Sequence, residues 1–449
     1  MAELTHTDAV FRPKPSQPPP PNTVGAIGWL RKNLFGGPFD SLMTIVGASL
    51  IAYFAYALFQ YGVVNAVWEA DSYRECLDAT KGAGACWAGV DKWMNNYLYG
   101  RYPDAEQWRV NLGGLILAVW LAPFWFPKVT HKIMVGVSAV LTFPFLAAQM
   151  FLGGDAIWFM QGMVAVALTL FAAVWLHVIA CYTGYKSLGD ALVRLTGFAD
   201  KDDRLHKYVF LVAFGAVWFA ALIFQANWDL KPVQTTNWGG LFLTLVISGI
   251  GISTALPSGV ILALGRRSKM PVIRVFCTAF IELFRSVPLI TILFMAVTMM
   301  PLFLPVTLNP DKLVLVIVAV CIFAAAYMAE IVRGGLQAIN NGQYEAAQAM
   351  GLNYWKMMTL IVMPQALKLM IPNIVGNFIG LLKDTTLVSI IGLYDILLMV
   401  RASGQDPKWL GMHTEPMLFA AAVFFVICFV MSKYSQHLER TIGGGYGRR

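Results

Sequence analysis

Charged residues are scarce in this chain. Asp, Glu, Lys and Arg make up 13% of its 449 residues and hydrophobic residues 58%, whereas soluble globular proteins carry about a quarter charged residues. That shortage excludes an ordinary soluble domain. It leaves long apolar runs, which only helices or a closed barrel can carry through lipid. The runs are roughly 20 residues long, enough for a spanning helix and about twice a barrel strand. No Gly-x-x-x-x-Gly-Lys followed by Ser or Thr occurs, so the chain cannot cradle nucleotide in that way. Cysteine is sparse as well: six residues, none at zinc-ligand spacing, so no metal site is expected. The two halves differ in composition and no internal repeat relates them. A net charge of +8 can point to nucleic acid, but here the excess Lys and Arg lie at the ends of apolar runs. No nucleic-acid partner is expected; membrane lipid is.

The apolar runs predict an all-α polytopic membrane protein of about ten spans, at 42–64, 112–126, 133–152, 157–181, 208–225, 241–264, 275–302, 313–331, 360–382 and 417–431. The seventh should break at Pro288, because proline removes a backbone donor and kinks a helix. Residues 1–40 contain FRPKPSQPPPPN, Pro-rich and polar, which reads as a disordered extended tail and not as a signal peptide. Basic residues orient the spans. Arg31 and Lys32 precede the first, and Lys128 and Lys132 follow the second. Lys186, Arg194, Lys201, Arg204 and Lys207 follow the fourth, Arg266, Arg267, Lys269 and Arg274 the sixth, and Arg440, Arg448 and Arg449 the last. All fall on one side of an alternating topology, so both termini are expected in the cytoplasm.

The predicted external loop, residues 65–109, carries both signs of charge and many aromatics: Trp68, Trp87, Trp93, Tyr97, Tyr99 and Tyr102. These either anchor the chain at the interface or dock an external partner. Cys76 and Cys86 lie in the same loop and can form a disulfide if that compartment is oxidising. The other cysteines, Cys181, Cys277, Cys321 and Cys428, sit in apolar runs and read as small core residues.

Composition changes near Asn237. The earlier spans, 41–236, carry almost no charge, His177 excepted; the later ones, 237–449, carry spaced ionisable residues. Ionisable groups within spans are costly and face a protein interior or a pathway. Glu282 and Arg285 are three apart, as are Glu330 and Arg333, and such pairs can neutralise themselves on one helix face. They either fix helix packing or line a gate. Lys383, Asp384 and Thr385 place charge and a hydroxyl beside the apolar run 387–393, a candidate polar site on the path.

Between two apolar spans runs EAAQAMGLNYWKMMTLIVMP, from Glu345 to Pro364. Asn340 can cap a helix here, with Gln343 three residues on. Ala346, Ala347 and Ala349 keep its surface small enough for close approach to a partner, and Gly351 should stop it. Glu345 is expected in the first turn, favourable to the helix dipole and available to a basic partner group.

Glu345-Ala346-Ala347, Gly351, Ile361 and Pro364 resemble the cytoplasmic coupling motif of ABC importer permeases, with Met363 where Leu is commoner. FIELFRSVPL (Phe280–Leu289), AEIVRGGLQAI (Ala329–Ile339), GQYEAAQAMGL (Gly342–Leu352) and LLKDTTL (Leu381–Leu387) look like the polar amino-acid branch, the His/Glu/Gln/Arg/opine permeases. The N-terminal extension looks like that of the larger permease subunit of general L-amino-acid or glutamate/glutamine/aspartate/asparagine importers. The resemblance implies a type I, MetI-like five-helix core after an extension of about five spans, in a bacterial inner membrane. It implies a non-catalytic subunit without a cofactor of its own, ATP and Mg being held by a partner ATPase dimer. It also implies a second, homologous and shorter permease subunit, a periplasmic amino-acid-binding protein and an amino-acid substrate. Glu345, Ala346, Ala347 and Gly351 become the expected ATPase contact. The rival class is a secondary transporter driven by an ion gradient. It shares long spans and buried charges but usually shows repeats or matching discontinuous spans.

Overall fold

A computed structural model describes residues 25–154, 158–185, 203–226, 228, 230–305 and 310–443. The Pro-rich run at 11–22 and the basic residues Lys186, Arg194, Lys201, Arg448 and Arg449 lie outside these residues. The chain forms two units, 1–88 and 89–449.

In the first unit, α1 (Gly25–Asn33) precedes α2 (Pro38–Phe59), which starts with proline at its first position, where no backbone donor is needed. None of the residues of α2 is buried. An all-round apolar helix of this kind suits lipid on every side. Next comes α3 (Tyr73–Thr80), capped by Ser72, whose hydroxyl accepts from Glu75 N at 3.4 Å. Cys76 and Cys86 are joined in a disulfide and both are buried. Trp87 Nε1 donates to the Gly62 carbonyl at 2.8 Å.

The stretch predicted as an external loop is therefore largely helical. It holds α3, then α4 (Trp87–Tyr99), and ends inside α5 (Gln107–Leu121). Tyr97 and Tyr102 are buried in protein instead of anchoring at an interface. Tyr97 stacks on Phe419, and burial pushes its hydroxyl up to about 12. Tyr102 donates to the Phe151 carbonyl at 2.8 Å.

In the second unit α5, α6 (Lys132–Leu152), α7 (Trp158–Tyr182) and α8 (Asp203–Ala226) pack in sequence, and then the chain enters α9 (Gly240–Arg266). The next pair is α10 (Pro271–Ser286) and α11 (Leu289–Phe303), bent by 104°. The break falls at Val287, which is extended because the ring of Pro288 excludes the helical region for the residue before it. There follow α12 (Lys312–Gln337), capped by Asp311, and the short α13 (Asn341–Ala349). A second bent pair, α14 (Tyr354–Leu369) and α15 (Ile371–Ser389), turns by 63°. The bend was not expected within the predicted span 360–382. A π turn at Met358–Val362 precedes Pro364; the extra residue relieves the ring against the preceding turn. The fold closes with α16 (Ile396–Ser403) and α17 (Thr414–Gly443).

The core is the pairing of α9 with α12. Thr244, Ile247, Ser248, Gly251, Ala255 and Gly259 of α9 are buried, as are Val320, Ala324, Met328 and Ala329 of α12. Small residues let two helices approach closely where lipid offers no hydrophobic drive between them.

Among the described residues six helices are long and apolar enough to cross a membrane, or up to eight if each bent pair is one span. Two of the ten predicted spans are thinner than expected. The run 112–126 belongs to the 15-residue α5, and 208–225 holds an apolar stretch at Phe214–Phe224. Within the second unit the helix ends sort into two groups, as alternating crossing requires. At one end Arg101 N bonds Asn237 O, Val233 N bonds Leu152 O, and Gly240 N bonds Tyr394 O. At the far ends of α9 and α12 lie Arg266 and Glu330, joined to each other.

Candidate functional site

The segment picked out by its small residues is a capped nine-residue helix, α13, that follows α12. Asn340 Oδ1 accepts from Gly342 N at 2.8 Å and starts α13. Gly351 ends the segment with φ +71°, a left-handed conformation that costs other residues about 1–2 kcal/mol. Nothing surrounds the position of its missing Cβ, so the backbone and not space demands glycine. Asn353 then caps α14, accepting from Lys356 N at 2.9 Å.

One face of α13 is tied to the chain. Ala347 is 1% exposed and packs in the core with Met357, Met358 and Val362. Tyr344 donates to the Leu336 carbonyl at 3.3 Å and accepts from Arg267 Nη1 at 3.0 Å. Gln365 Nε2 donates to Gln343 Oε1 at 3.1 Å. The other face is open: Glu345, Ala346, Gln348, Ala349, Met350 and Gly351 are exposed. Two expectations change. Ala347 seats the helix on its own chain and is not presented outward. Glu345 lies beyond the first turn, because the helix already starts at Asn341, so its carboxylate is available for a partner more than for the helix dipole.

Glu282 and Arg285 do not pair with each other. Glu282 Oε1 lies 2.8 Å from Arg266 Nη2, and Arg285 Nη1 lies 3.4 Å from Glu330 Oε2. Arg266 Nη1 also reaches Glu330 Oε2 at 3.5 Å, while Arg333 binds Glu330 Oε1, its Nε donating at 2.8 Å. The two predicted i,i+3 pairs are therefore one network across α9, α10 and α12, with three guanidinium groups around Glu330. The bend after α10 and the packing of α9 on α12 bring Arg266 into it. Sequence reasoning used Arg266 only for orientation. Arg285 also lies over the Tyr327 ring, 5.8 Å from its centroid.

At the other end of α15, Lys383 is exposed, Asp384 half-buried and Thr385 buried. The Thr385 hydroxyl donates to the Leu382 carbonyl at 2.7 Å and that of Thr386 to Lys383 O at 2.8 Å. These hydroxyls satisfy their own helix. Asp384 remains as the half-buried charged group beside the exposed Lys383, with Asn377 seven residues earlier on the same helix face. Asn377 Oδ1 is buried and accepts no hydrogen bond among the described residues. Asparagines inside an apolar run were the available signal for this face.

Among the described residues, three buried acidic or basic side chains escaped the sequence reading, Arg109, Asp395 and Glu415. Arg109, in the half thought nearly free of buried charge, is 0% exposed. Asp395 is 0% exposed as well, and caps α16 by accepting from Leu398 N at 3.0 Å. Burial pushes its carboxyl up to about 6, with the Leu398 and Leu397 backbone N–H groups opposing. Among the described residues no group of three His, Cys, Asp or Glu is placed to hold a metal ion.

The profile described as the binding-protein-dependent transport system inner membrane component matches residues 255–444. The inner membrane amino-acid ABC transporter permease protein YhdY of Escherichia coli is 37% identical over 433 residues, covering 96% of this chain and 97% of its own. The glutamate/glutamine/aspartate/asparagine transport system permease protein BztC of Rhodobacter capsulatus is 40% identical over 443 residues, 95% of this chain and 96% of its own. Both relatives therefore share the long N-terminal half. Among solved structures, the crystal structure of an amino acid ABC transporter with histidines is 29% identical over 45% of this chain and 92% of its own, with a TM-score of 0.41. With 37% and 40% identity to two such permeases along almost the whole of each chain, the chain belongs to the amino-acid ABC transporter permeases of the His/Glu/Gln/Arg branch, which are multi-pass inner-membrane transport subunits.

Proposed function

We propose that this chain is the non-catalytic membrane subunit of an ATP-driven amino-acid importer, coupled to a separate ATPase dimer through residues 345–351. The observation that carries the reading is the two-faced α13: Tyr344 and Ala347 bind it to the core while Glu345, Ala346 and Gly351 stay exposed. A helix held in this way transmits a push to the bundle. ATP and Mg belong to the partner ATPase. ATP binding there moves α13, the spans rock, and the path opens toward a docked periplasmic binding protein; hydrolysis resets it. The drive is the partner's differential affinity for the two states.

In this reading residues 237–449 form the core and 41–236 an extension, with both termini cytoplasmic. A second, shorter homologous permease completes the path. The network of Arg266, Glu282, Arg285, Glu330 and Arg333 is an inner gate whose pairs exchange as α9, α10 and α12 shift, and Asp384 with Asn377 faces the path. The substrates named for the Rhodobacter relative make polar amino acids the first candidates.

The test is Glu345→Lys and Gly351→Asp in the reconstituted complex. Both should insert normally and lose substrate-dependent ATPase activity. Uptake at wild-type rates in either variant, or uptake driven by an ion gradient without an ATPase, refutes the proposal.

A further inference from the structure

A cavity of about 390 Å³ opens between α5, α6 and α8, away from the charge network and from α13. Its size falls in the range of about 300–1,000 Å³ that small-molecule sites occupy. Trp108, Leu112, Met150, Phe224 and Trp228 make its apolar walls, and among the described residues Arg109 is its one ionisable lining group.

Arg109 is wholly buried, yet its guanidinium is only partly spent. Nε lies 3.2 Å from Glu106 Oε2, and Nη2 donates to the Lys231 carbonyl at 3.1 Å. Nη1 is buried and has no acceptor among the described residues. A buried donor left unpaired is costly, and an oxyanion is the group a guanidinium binds best.

The walls say what the oxyanion is attached to. Trp108, Leu112 and Phe224 are 51%, 38% and 61% exposed, so the cavity opens sideways from the bundle and not into its interior. Arg109 stands at the third position of α5, and Met150 near the end of α6. The cavity thus lies where these helices leave the apolar layer, at the depth of lipid headgroups and of interfacial Trp. A zwitterionic amino acid would need a free carboxylate opposite Arg109, and Glu106 is already paired with it.

We infer that this cavity binds an anionic phospholipid from the surrounding bilayer. Its phosphodiester oxyanion sits at Arg109 Nη1 and one acyl chain runs along Leu112, Phe224 and Trp228. The lipid ties α5 to α8 in the half of the chain that precedes the transport core.

Native mass spectrometry of the purified full chain tests this with four probes: phosphatidylglycerol, diacylglycerol, oleate and glycerol phosphate. Phosphatidylglycerol should be retained at least about tenfold more strongly than diacylglycerol, which lacks the oxyanion, and than glycerol phosphate, which lacks the chains. Arg109→Gln should abolish the preference. Because that variant removes a buried ion pair and can fail to fold, Leu112→Trp, which fills the cavity and leaves Arg109 in place, should abolish retention independently. Equal retention of phosphatidylglycerol and diacylglycerol, or full retention in Leu112→Trp, overturns the inference. Oleate retained in preference to phosphatidylglycerol overturns it too, by assigning the site to a free fatty acid.

Discussion

Arg267 Nη1 donates to the Tyr344 hydroxyl at 3.0 Å, and its guanidinium lies 5.5 Å from the centroid of the same ring. The preceding residue, Arg266, bonds Glu282 and Glu330. Two consecutive side chains at the end of α9 therefore hold the charge network and α13 at once. One peptide bond separates the residue that holds Tyr344 of α13 from the residue that holds Glu330.

That linkage makes Tyr344→Phe informative. It removes one hydroxyl and leaves the ring packed, so stability should fall by only about 1 kcal/mol. Under the proposed function, substrate-stimulated ATPase activity should drop several-fold. Arg267→Ala should act the same way, and the double variant should be little worse than either single one. Additive losses in the reconstituted complex would show that the two residues work separately.

Gly351 separates backbone from contact effects. Asn adopts the left-handed conformation more readily than other non-glycine residues, and Val hardly at all. With open space around the site, Gly351→Asn should retain most ATPase coupling and Gly351→Val little of it. Equal coupling in the two would mean that φ at this residue is not what α13 depends on.

Gly259 lies against α12, where an added Cβ would come within 2.6 Å of Met328 Cγ and 2.9 Å of Ala329 N. Backbone cannot yield as a side chain does. Gly259→Val should cost about 1–3 kcal/mol or more by overpacking, read as a lower unfolding temperature and poorer yield. Gly249→Ala, at an open position of the same helix, is the control and should leave both unchanged or slightly raised, since Ala favours helix over Gly.

Asp395 supplies a pH test. Its carboxyl titrates at about 6 in the fold against 3.8 when free. Between those values the folded chain holds a proton that the unfolded chain has released. The group's contribution is thus fully present below 3.8 and is lost as pH rises through about 6, a difference of about 3 kcal/mol. Asp395→Asn keeps a capping oxygen and cannot ionise. It should unfold at a higher temperature than wild type at pH 7.5, with the gap closing toward pH 4. Parallel melting curves across that range would contradict the assignment.

The disulfide is expected to act locally. Closing a loop of this length contributes about 2–3 kcal/mol in the chain-entropy account. Cys76→Ser with Cys86→Ser should speed proteolysis within 73–86 while the rates at α9 and α12 stay as they were. Unchanged cleavage there would show that the Ser72 cap and the Trp87 bond to Gly62 hold the loop without it.

Spans, the break at Pro288 and the exposed helix α13 were legible because they depend on residues close in sequence, whereas the bend between α14 and α15 was not. Hydropathy marks a span, Pro288 ends a helix at its own position, and Asn340 and Gly351 bracket α13 by local hydrogen bonding and φ. Family membership was readable in the same way, from motifs a few residues long. Local rules also misled. Spacing of three suggested that Glu282 belongs to Arg285, and small size suggested that Ala347 faces a partner.

Tertiary structure alone decided which charges meet, because Arg266 and Glu330 are brought together by the packing of two helices whose contact no short window contains. It decided that Ala347 turns inward, since a nine-residue helix has a buried side only once the core it rests on exists. It likewise decided the burial of Arg109 and Asp395, which no local pattern in the sequence marks. Apolar content says how much of a chain enters the membrane. Which polar groups are carried in with it depends on neighbours that are distant along the chain, and those neighbours set the cost of burying each one.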